Sequence, residues 1–328
     1  MVQQLYTYSE EIYKISTFSF FMIINTGSRT DIPAFFSEWF LNRIQEGFVY
    51  SRNPFNNDVY RYSLNPEIID VLCFCTKNPR PMLRKMDSIS DYNQFWFVTI
   101  NPYGKDIEVN VHNYNHVIKS FKDLSEVLGS RKVAWRYDPI FISQKYGLDF
   151  HIDKFEEMAS ELSGFTHDCT ISFIDLYQKV LRNFPEANEV TIEEQLIIGE
   201  NFSRIAKQYD FNMKTCVEGT LLDRFGFDSS GCMTKEVLEK AIGFNLKVPK
   251  GKYIIRDCNC LFGRDIGAYN TCMHGCKYCY ANSNMNLVKR NQKLHNPYSP
   301  LLIGEVKDGE TVMEVNEPSY INPQTTLF

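Results

Sequence analysis

The chain has 328 residues, a net charge of −5, 44% hydrophobic residues and 23% charged ones. That length accommodates one large α/β barrel, which needs about 250 residues, or two smaller domains, and the composition is that of an ordinary globular protein without repeats or low-complexity tracts. The acidic balance argues against a general attraction to nucleic acid or anionic lipid, and the longest dominantly apolar run, Phe18 to Ile24, falls far short of the roughly 20 residues of a membrane span.

From the N-terminus, Met1 to Phe21 has neither a basic start nor a small-residue cleavage site. It reads as an extension without a secretory signal, with Met22 as an alternative start, and a cytoplasmic location is expected. Short apolar or β-branched runs then predict strands at Met22 to Asn25, Asp70 to Cys75, Phe95 to Ile100, Lys132 to Tyr137, Cys169 to Ile174, Asn212 to Cys216 and Tyr253 to Arg256. Between them, one helix follows Pro33 and ends at Gly47. Another aligns Val117, Ile118, Phe121, Leu124 and Leu128 before Gly129, and a third aligns Ile152, Phe155, Ala159 and Leu162 before Gly164. Thr191 and Glu194 form a capping box at the head of a fourth. The turn-rich Asn53 to Asp58, inside the stretch from Phe48 to Leu64, predicts an inserted hairpin.

Continuous apolar strands joined by helices imply a parallel sheet covered on both faces, and about seven units favour a TIM-like (β/α) barrel or partial barrel. The expected organisation is an extension at 1–21, the barrel at 22–250, a cysteine-rich metal-binding region closing it at 251–284, and a tail at 285–328. Polar residues follow each strand: Ser28, Arg29, Thr30 and Asp31; Thr76, Lys77 and Asn78; Asn101; Arg136 and Asp138; Asp175; Glu218. In a parallel barrel these share the rim on which active sites are assembled. Arg29, Lys77, Arg136, Asp138, Asp175 and Glu218 are therefore the candidates for catalytic, substrate or cofactor contacts, although a structural Arg–Asp pair also accounts for Arg136 and Asp138. The basic clusters Lys77, Arg80, Arg84, Lys85 and Lys289, Arg290, Lys293 read as solvated helix faces.

Ten cysteines in a chain of this kind point to metal ligands or buried thiols rather than disulfides. Cys272, Cys276 and Cys279 lie within one short loop, and three thiols leave one position open on a cubane or a tetrahedral ion, the property that separates a catalytic centre from a closed structural one. Gly275 relieves crowding where the backbone curls, and Tyr278 and Tyr280 are placed to shield the centre. Cys216, Cys232, Cys258 and Cys260 supply enough donors for a second, closed site, either an auxiliary iron-sulfur cluster or zinc. The alternative is that Cys216 and Cys232 are buried apolar thiols and only Cys258 and Cys260 touch metal. Cys73, Cys75 and Cys169 are assigned to packing. His274 sits between ligand positions, either hydrogen-bonding the centre or facing solvent. His112, His116, His151, His167 and His295 show no ligand spacing.

Several of these stretches occur together in a known family. Thr26 to Phe35, Arg52-Asn53-Pro54, Thr76-Lys77-Asn78-Pro79, Trp135 to Ile140 and Asp265 to Cys272 resemble the 1848 family of domains of unknown function, a bacterial family, over nearly the whole chain from Met22 onward. Its C-terminal cysteines are similar to the cluster motif of radical S-adenosylmethionine enzymes, and His274 to Ala281 resembles the cluster loop of the spore-photoproduct-lyase-like branch of that superfamily. The resemblance implies a [4Fe-4S] cluster on Cys272, Cys276 and Cys279 whose fourth iron chelates S-adenosylmethionine. It also implies a small-molecule or macromolecular substrate and an electron donor such as flavodoxin or ferredoxin. In that superfamily the cysteine loop follows the first strand, whereas here it follows about seven, so the implied barrel is circularly permuted. Two other functions are weighed against this one: a metal-stapled binding or sensing module, and repair or modification of nucleic acid, against which the acidic charge counts.

Overall fold

The computed structural model describes residues 22–248, 258–315 and 321; the expected strand at Tyr253 to Arg256 and the extension at 1–21 lie outside them. In chain order the elements are β1 (Met22–Asn25), α1 (Ile32–Phe35), α2 (Ser37–Glu46), β2 (Phe48–Arg52), β3 (Val59–Ser63), β4 (Ile69–Thr76), α3 (Arg80–Leu83) and β5 (Gln94–Thr99). They continue with α4 (Tyr114–Leu128), β6 (Val133–Ile140), α5 (Leu148–Leu162), β7 (Asp168–Phe173), α6 (Gln178–Asn183), α7 (Ile192–Gln208), β8 (Asn212–Thr215), α8 (Lys235–Ile242), β9 (Arg264–Asp265), α9 (Met285–Gln292) and β10 (Val312–Glu314).

Seven strands form one parallel sheet in the order β8-β7-β6-β5-β4-β1-β9. Six of them lie side by side in the order of the chain, so each strand, crossover helix and next strand is one repeated unit. β9 sits on the free side of β1. The outer strands β8 and β9 are not paired with each other. Irregular backbone lies beyond β8: Thr215 N–H donates to Asp228 O (3.1 Å) and Asp228 N–H to Met213 O (2.9 Å). Further along, Asn259 N–H donates to Ser230 O (3.2 Å) and Leu261 N–H to Met233 O (2.8 Å).

The period-2 alternation of strand side chains sends neighbouring residues to opposite faces. Ile24, Leu72, Phe74, Trp96, Val98, Trp135 and Tyr137 point into the larger core, under the crossover helices. There Trp135 stacks on Phe155 at 4.9 Å and Phe155 on Phe202 at 3.8 Å. Aromatic side chains of this size contribute several kcal/mol each when buried, on the order of 1.5–3. Ile23, Val71, Cys73, Phe95, Phe97 and Ala134 point the other way, against Val237, Leu238, Ala241 and Ile242 of α8 and against Cys232, Met233, Cys258 and Cys260. Burial on both faces explains why these strands read as continuous apolar runs.

Local signals account for most boundaries. Thr191 accepts from Glu194 N–H while the Glu194 side chain takes the Thr191 N–H, the reciprocal cap expected at the head of α7. Gly47, at φ +76°, ends α2. The expected single helix from Pro33 to Gly47 is instead two, because Phe36, at φ −132°, breaks the helical path between α1 and α2. The hairpin β2–β3 forms as expected, with β10 added in parallel on β3. Sheet pairing extends β6 to Ile140, past the expected end at Tyr137, so Arg136 and Asp138 lie inside the strand rather than beyond it.

Candidate functional site

Because all seven strands run one way, their C-terminal ends form one edge, and the cysteine loop covers part of it. Backbone and side-chain bonds brace the loop: Asn110 N–H donates to His274 O (2.9 Å), Lys277 N–H to Ile107 O (3.1 Å) and Asn270 N–H to Ala281 O (3.0 Å). Asn282 Nδ2 donates to Cys272 O (2.7 Å) and Gln292 Nε2 of α9 to Thr271 O (2.7 Å). Gly275 adopts φ +68°, which a side chain would strain.

Beneath the loop lies a carboxylate that sequence reasoning missed. Glu108, 2% exposed, accepts from Lys77 Nζ at 2.8 Å, from Asn101 Nδ2 at 3.1 Å and from the Tyr278 hydroxyl. Lys77 therefore leaves the basic cluster and points inward; Asn78 and Pro79 turn the chain into α3 just after it. Burial opposes its charge, but Glu108 and Cys276 beside it outweigh that and its pKa is raised. A buried pair of this kind is costly to break, because either partner alone is a stranded charge. The only signal for Glu108 in the sequence is its place in the long loop after Asn101, on the rim side of β5.

His274 is buried, not solvent-facing. Its Nε2 is 2.8 Å from Asp31 Oδ2, the carboxylate oxygen that also accepts from Lys77 N–H, while its Nδ1 has no partner within the described residues. Burial raises the pKa of all three loop thiols. Asp31 and the two sister thiols add to the rise at Cys272, and Glu108 adds to it at Cys276, where Lys77 opposes it. The three sulfurs are thus close enough to act on one another electrostatically, in a setting that disfavours the thiolate.

A second constellation lies on the α8 face of the sheet. Arg136 Nη2 pairs with Asp138 Oδ2 at 2.6 Å, its guanidinium lies 5.2 Å from the Phe97 ring centre, and Nη1 donates to Cys232 Sγ at 3.3 Å. Ser172 donates to the other Asp138 oxygen. Burial works against the Arg136 charge, yet Asp138 and the surrounding thiols hold its pKa well above the ordinary value. Asn101 joins the two constellations, since its Nδ2 also donates to Asp138 O (2.8 Å) and its Oδ1 accepts from Asp138 N–H (2.8 Å).

Around Arg136 the four cysteines of the expected second site come together. Cys232 Sγ is 4.0 Å from Cys216 Sγ and 3.7 Å from Cys260 Sγ, and Cys258 and Cys260 are 2.9 Å apart. Contacts with Cys216 and Cys260, with Arg136 adding, lower the Cys232 pKa against the effect of burial. Contact with Cys260 brings Cys258 to about 7, while the thiol contacts and burial push Cys216 and Cys260 up. Among the described residues no group of three or more His, Cys, Asp or Glu side chains is arranged so that it could hold a metal ion as it stands.

Of the remaining candidates, Glu218 sits half-buried just after β8, accepts from Phe173 N–H at 2.9 Å, and is pushed up to about 7 by burial, with Asp175 and Asp138 adding. Asp175 is exposed and accepts from the Tyr177 hydroxyl. Arg29 is engaged elsewhere: it bonds Asp265 Oδ1 (3.1 Å), Asp265 O (2.8 Å), Ser51 Oγ (3.0 Å) and Arg52 O (3.2 Å), tying β9 to the hairpin. Cys73 and Cys169 are packed as expected, whereas Cys75 is only partly buried and its thiol, raised to about 11 by burial, is within electrostatic reach of Arg136.

The fold and this edge define an α/β protein with a parallel seven-stranded sheet and a cysteine-rich C-terminal segment on its strand-end rim. The family described as Domain of unknown function (DUF1848) matches residues 23–281, from β1 through the cysteine loop, and the chain belongs to that family. No curated protein matches it. No helix among the described residues is long and apolar enough to cross a membrane.

Proposed function

We propose that the protein is an iron-sulfur enzyme of radical S-adenosylmethionine type, with a [4Fe-4S] cluster on Cys272, Cys276 and Cys279. The observation that carries this reading is the loop itself: three half-buried, mutually interacting thiols beside a buried histidine whose Nδ1 has no partner among the described residues. The donor set fits the group, since thiolates are the ligands such clusters take and three of them leave one iron open. When bound, the cluster supplies the electron that cleaves S-adenosylmethionine reductively. The chain's own residues hold and shield it: Tyr278 walls the Cys276 side, His274 presents an Nδ1 unpartnered among the described residues, and the Lys77–Glu108 pair fixes the floor of the loop. Asp175 and Glu218 then stand at the neighbouring strand ends for the substrate, near the Arg136–Asp138 pair inside β6, with Glu218 poised to exchange a proton near neutral pH. Electrons come from a donor such as flavodoxin or ferredoxin.

The same reading takes the sheet as a permuted, incompletely closed barrel. Its support is the chain-order succession of β1, β4, β5, β6, β7 and β8, with β9 on the free side of β1 and Asp228 on the free side of β8. The test is chemical: anaerobically reconstituted, reduced protein converts S-adenosylmethionine to 5′-deoxyadenosine. No product from protein carrying a full cluster overturns the proposal.

A metal-stapled binding or sensing module is the second reading, favoured by the four-thiol patch that ties together segments distant in sequence. It predicts that replacing Cys276 lowers stability without abolishing any turnover. Nucleic-acid repair or modification has only the loop's resemblance in its favour and a net charge of −5 against it; salt-dependent binding to DNA or RNA would revive it.

A further inference from the structure

The four-thiol patch is chemically distinct from the loop. Its cysteines come from three places: Cys216 just past β8, Cys232 before α8, and Cys258 and Cys260 from the segment leading into β9. Each lies on the α8 face of the sheet, buried or nearly so, in an otherwise apolar layer. Packing alone does not account for sulfurs in successive contact, since isolated buried thiols behave as small hydrophobes and need no thiol neighbours.

Three further features suit the patch to a metal. Gly231 stands at φ +134°, and a Cβ there would meet Cys260 Sγ at 2.9 Å and Cys258 Sγ at 3.1 Å, so only glycine lets the backbone curl this closely around the sulfurs. Met233 N–H donates to Cys260 Sγ at 3.2 Å, a bond that favours the thiolate. Arg136 donates to Cys232 Sγ and supplies buried positive charge where four thiolates around a divalent ion would leave a surplus of two negative charges.

We propose that Cys216, Cys232, Cys258 and Cys260 hold a single zinc ion, separate from the loop cluster. With zinc–sulfur bonds of about 2.3 Å, a tetrahedral site sets its sulfurs about 3.8 Å apart. The Cys232–Cys216 and Cys232–Cys260 separations of 4.0 and 3.7 Å match that edge, and the 2.9 Å contact between Cys258 and Cys260 opens as the ion enters. A cubane spreads its ligands over separate irons and holds them farther apart than the 4.0 and 3.7 Å of these two pairs, which favours one ion over a second cluster. Binding releases the thiol protons to solvent and involves no change of oxidation state. The ion ties the free side of β8 to the segment leading into β9 and buttresses Arg136 beside the candidate substrate rim.

The test uses full-length protein with Cys272, Cys276 and Cys279 all changed to Ser, which removes the loop cluster, beside the same protein also carrying Cys258→Ser and Cys260→Ser. Elemental analysis should find about one zinc per chain in the first and none in the second. Cobalt(II) added to the zinc-depleted first variant should give the intense visible ligand-field and thiolate charge-transfer bands of a tetrathiolate site, so the result does not depend on the second variant folding. Stoichiometric iron with sulfide in the first variant, a disulfide between Cys258 and Cys260 in metal-free protein, or no cobalt spectrum overturns the zinc site. Loss of S-adenosylmethionine cleavage in the first variant bears only on the loop.

Discussion

The two thiol groups differ in how they are built. Cys272, Cys276 and Cys279 lie on eight consecutive residues, are braced by backbone bonds on the rim, and each have a pKa raised chiefly by desolvation. Cys216, Cys232, Cys258 and Cys260 are gathered from three segments into an apolar layer, where contacts with Cys216 and Cys260, with Arg136 adding, lower the Cys232 pKa. A contiguous loop can sit at an edge with one coordination position open to a ligand. A site assembled by tertiary packing is enclosed by what assembles it, and so is suited to stability.

If that contrast is right, substitutions in the two regions separate activity from stability. The largest effect is expected from Cys276→Ala: 5′-deoxyadenosine formation falls to background while the urea midpoint changes little. A large stability loss with turnover retained would instead favour the stapled module. Next, Lys77→Met leaves Glu108 buried without its cation and should cost about 3–5 kcal/mol in urea unfolding. Adding Glu108→Gln should restore part of the loss; a purely additive second loss would show that the pair is not what holds the floor of the loop.

Arg29→Ala should cost about 1–3 kcal/mol through its bonds to Asp265 and Ser51, with the iron content of the loop unchanged. Unaltered stability with impaired turnover would return Arg29 to the substrate-contacting set. The smallest effect concerns Glu218. Its carboxyl is raised in the folded protein from the usual 4.5 to about 7, so the folded state holds more protons than the unfolded one between those values. Its contribution is therefore fully present below about pH 4.5 and is lost as pH rises through 7. Glu218→Gln should flatten that part of the stability–pH curve, read from urea midpoints across the window.

Much of this was legible in the sequence because the relevant signals are local. The β-branched and aromatic runs gave six strands within a few residues, the Thr191–Glu194 box gave the head of α7, and the spacing of the loop cysteines needed no tertiary information. What was missed depends on distant partners. β9 and β10 are two and three residues long and exist only through pairing with β1 and β3. Glu108 carries no motif and becomes central only when Lys77, Asn101 and Tyr278 converge on it. The burial of His274 follows from Asp31, 243 positions earlier in the chain. The inward turn of Lys77 was hidden by its basic neighbours, which share its composition but not its position.

Electron paramagnetic resonance of anaerobically reconstituted, reduced protein, recorded with and without S-adenosylmethionine, tests the central claim most directly. The account predicts a reduced-cubane signal that changes shape when S-adenosylmethionine binds the open iron and that disappears in Cys276→Ala. A signal insensitive to the ligand and unchanged in Cys276→Ala, or no iron-sulfur signal at all after reconstitution, would contradict it.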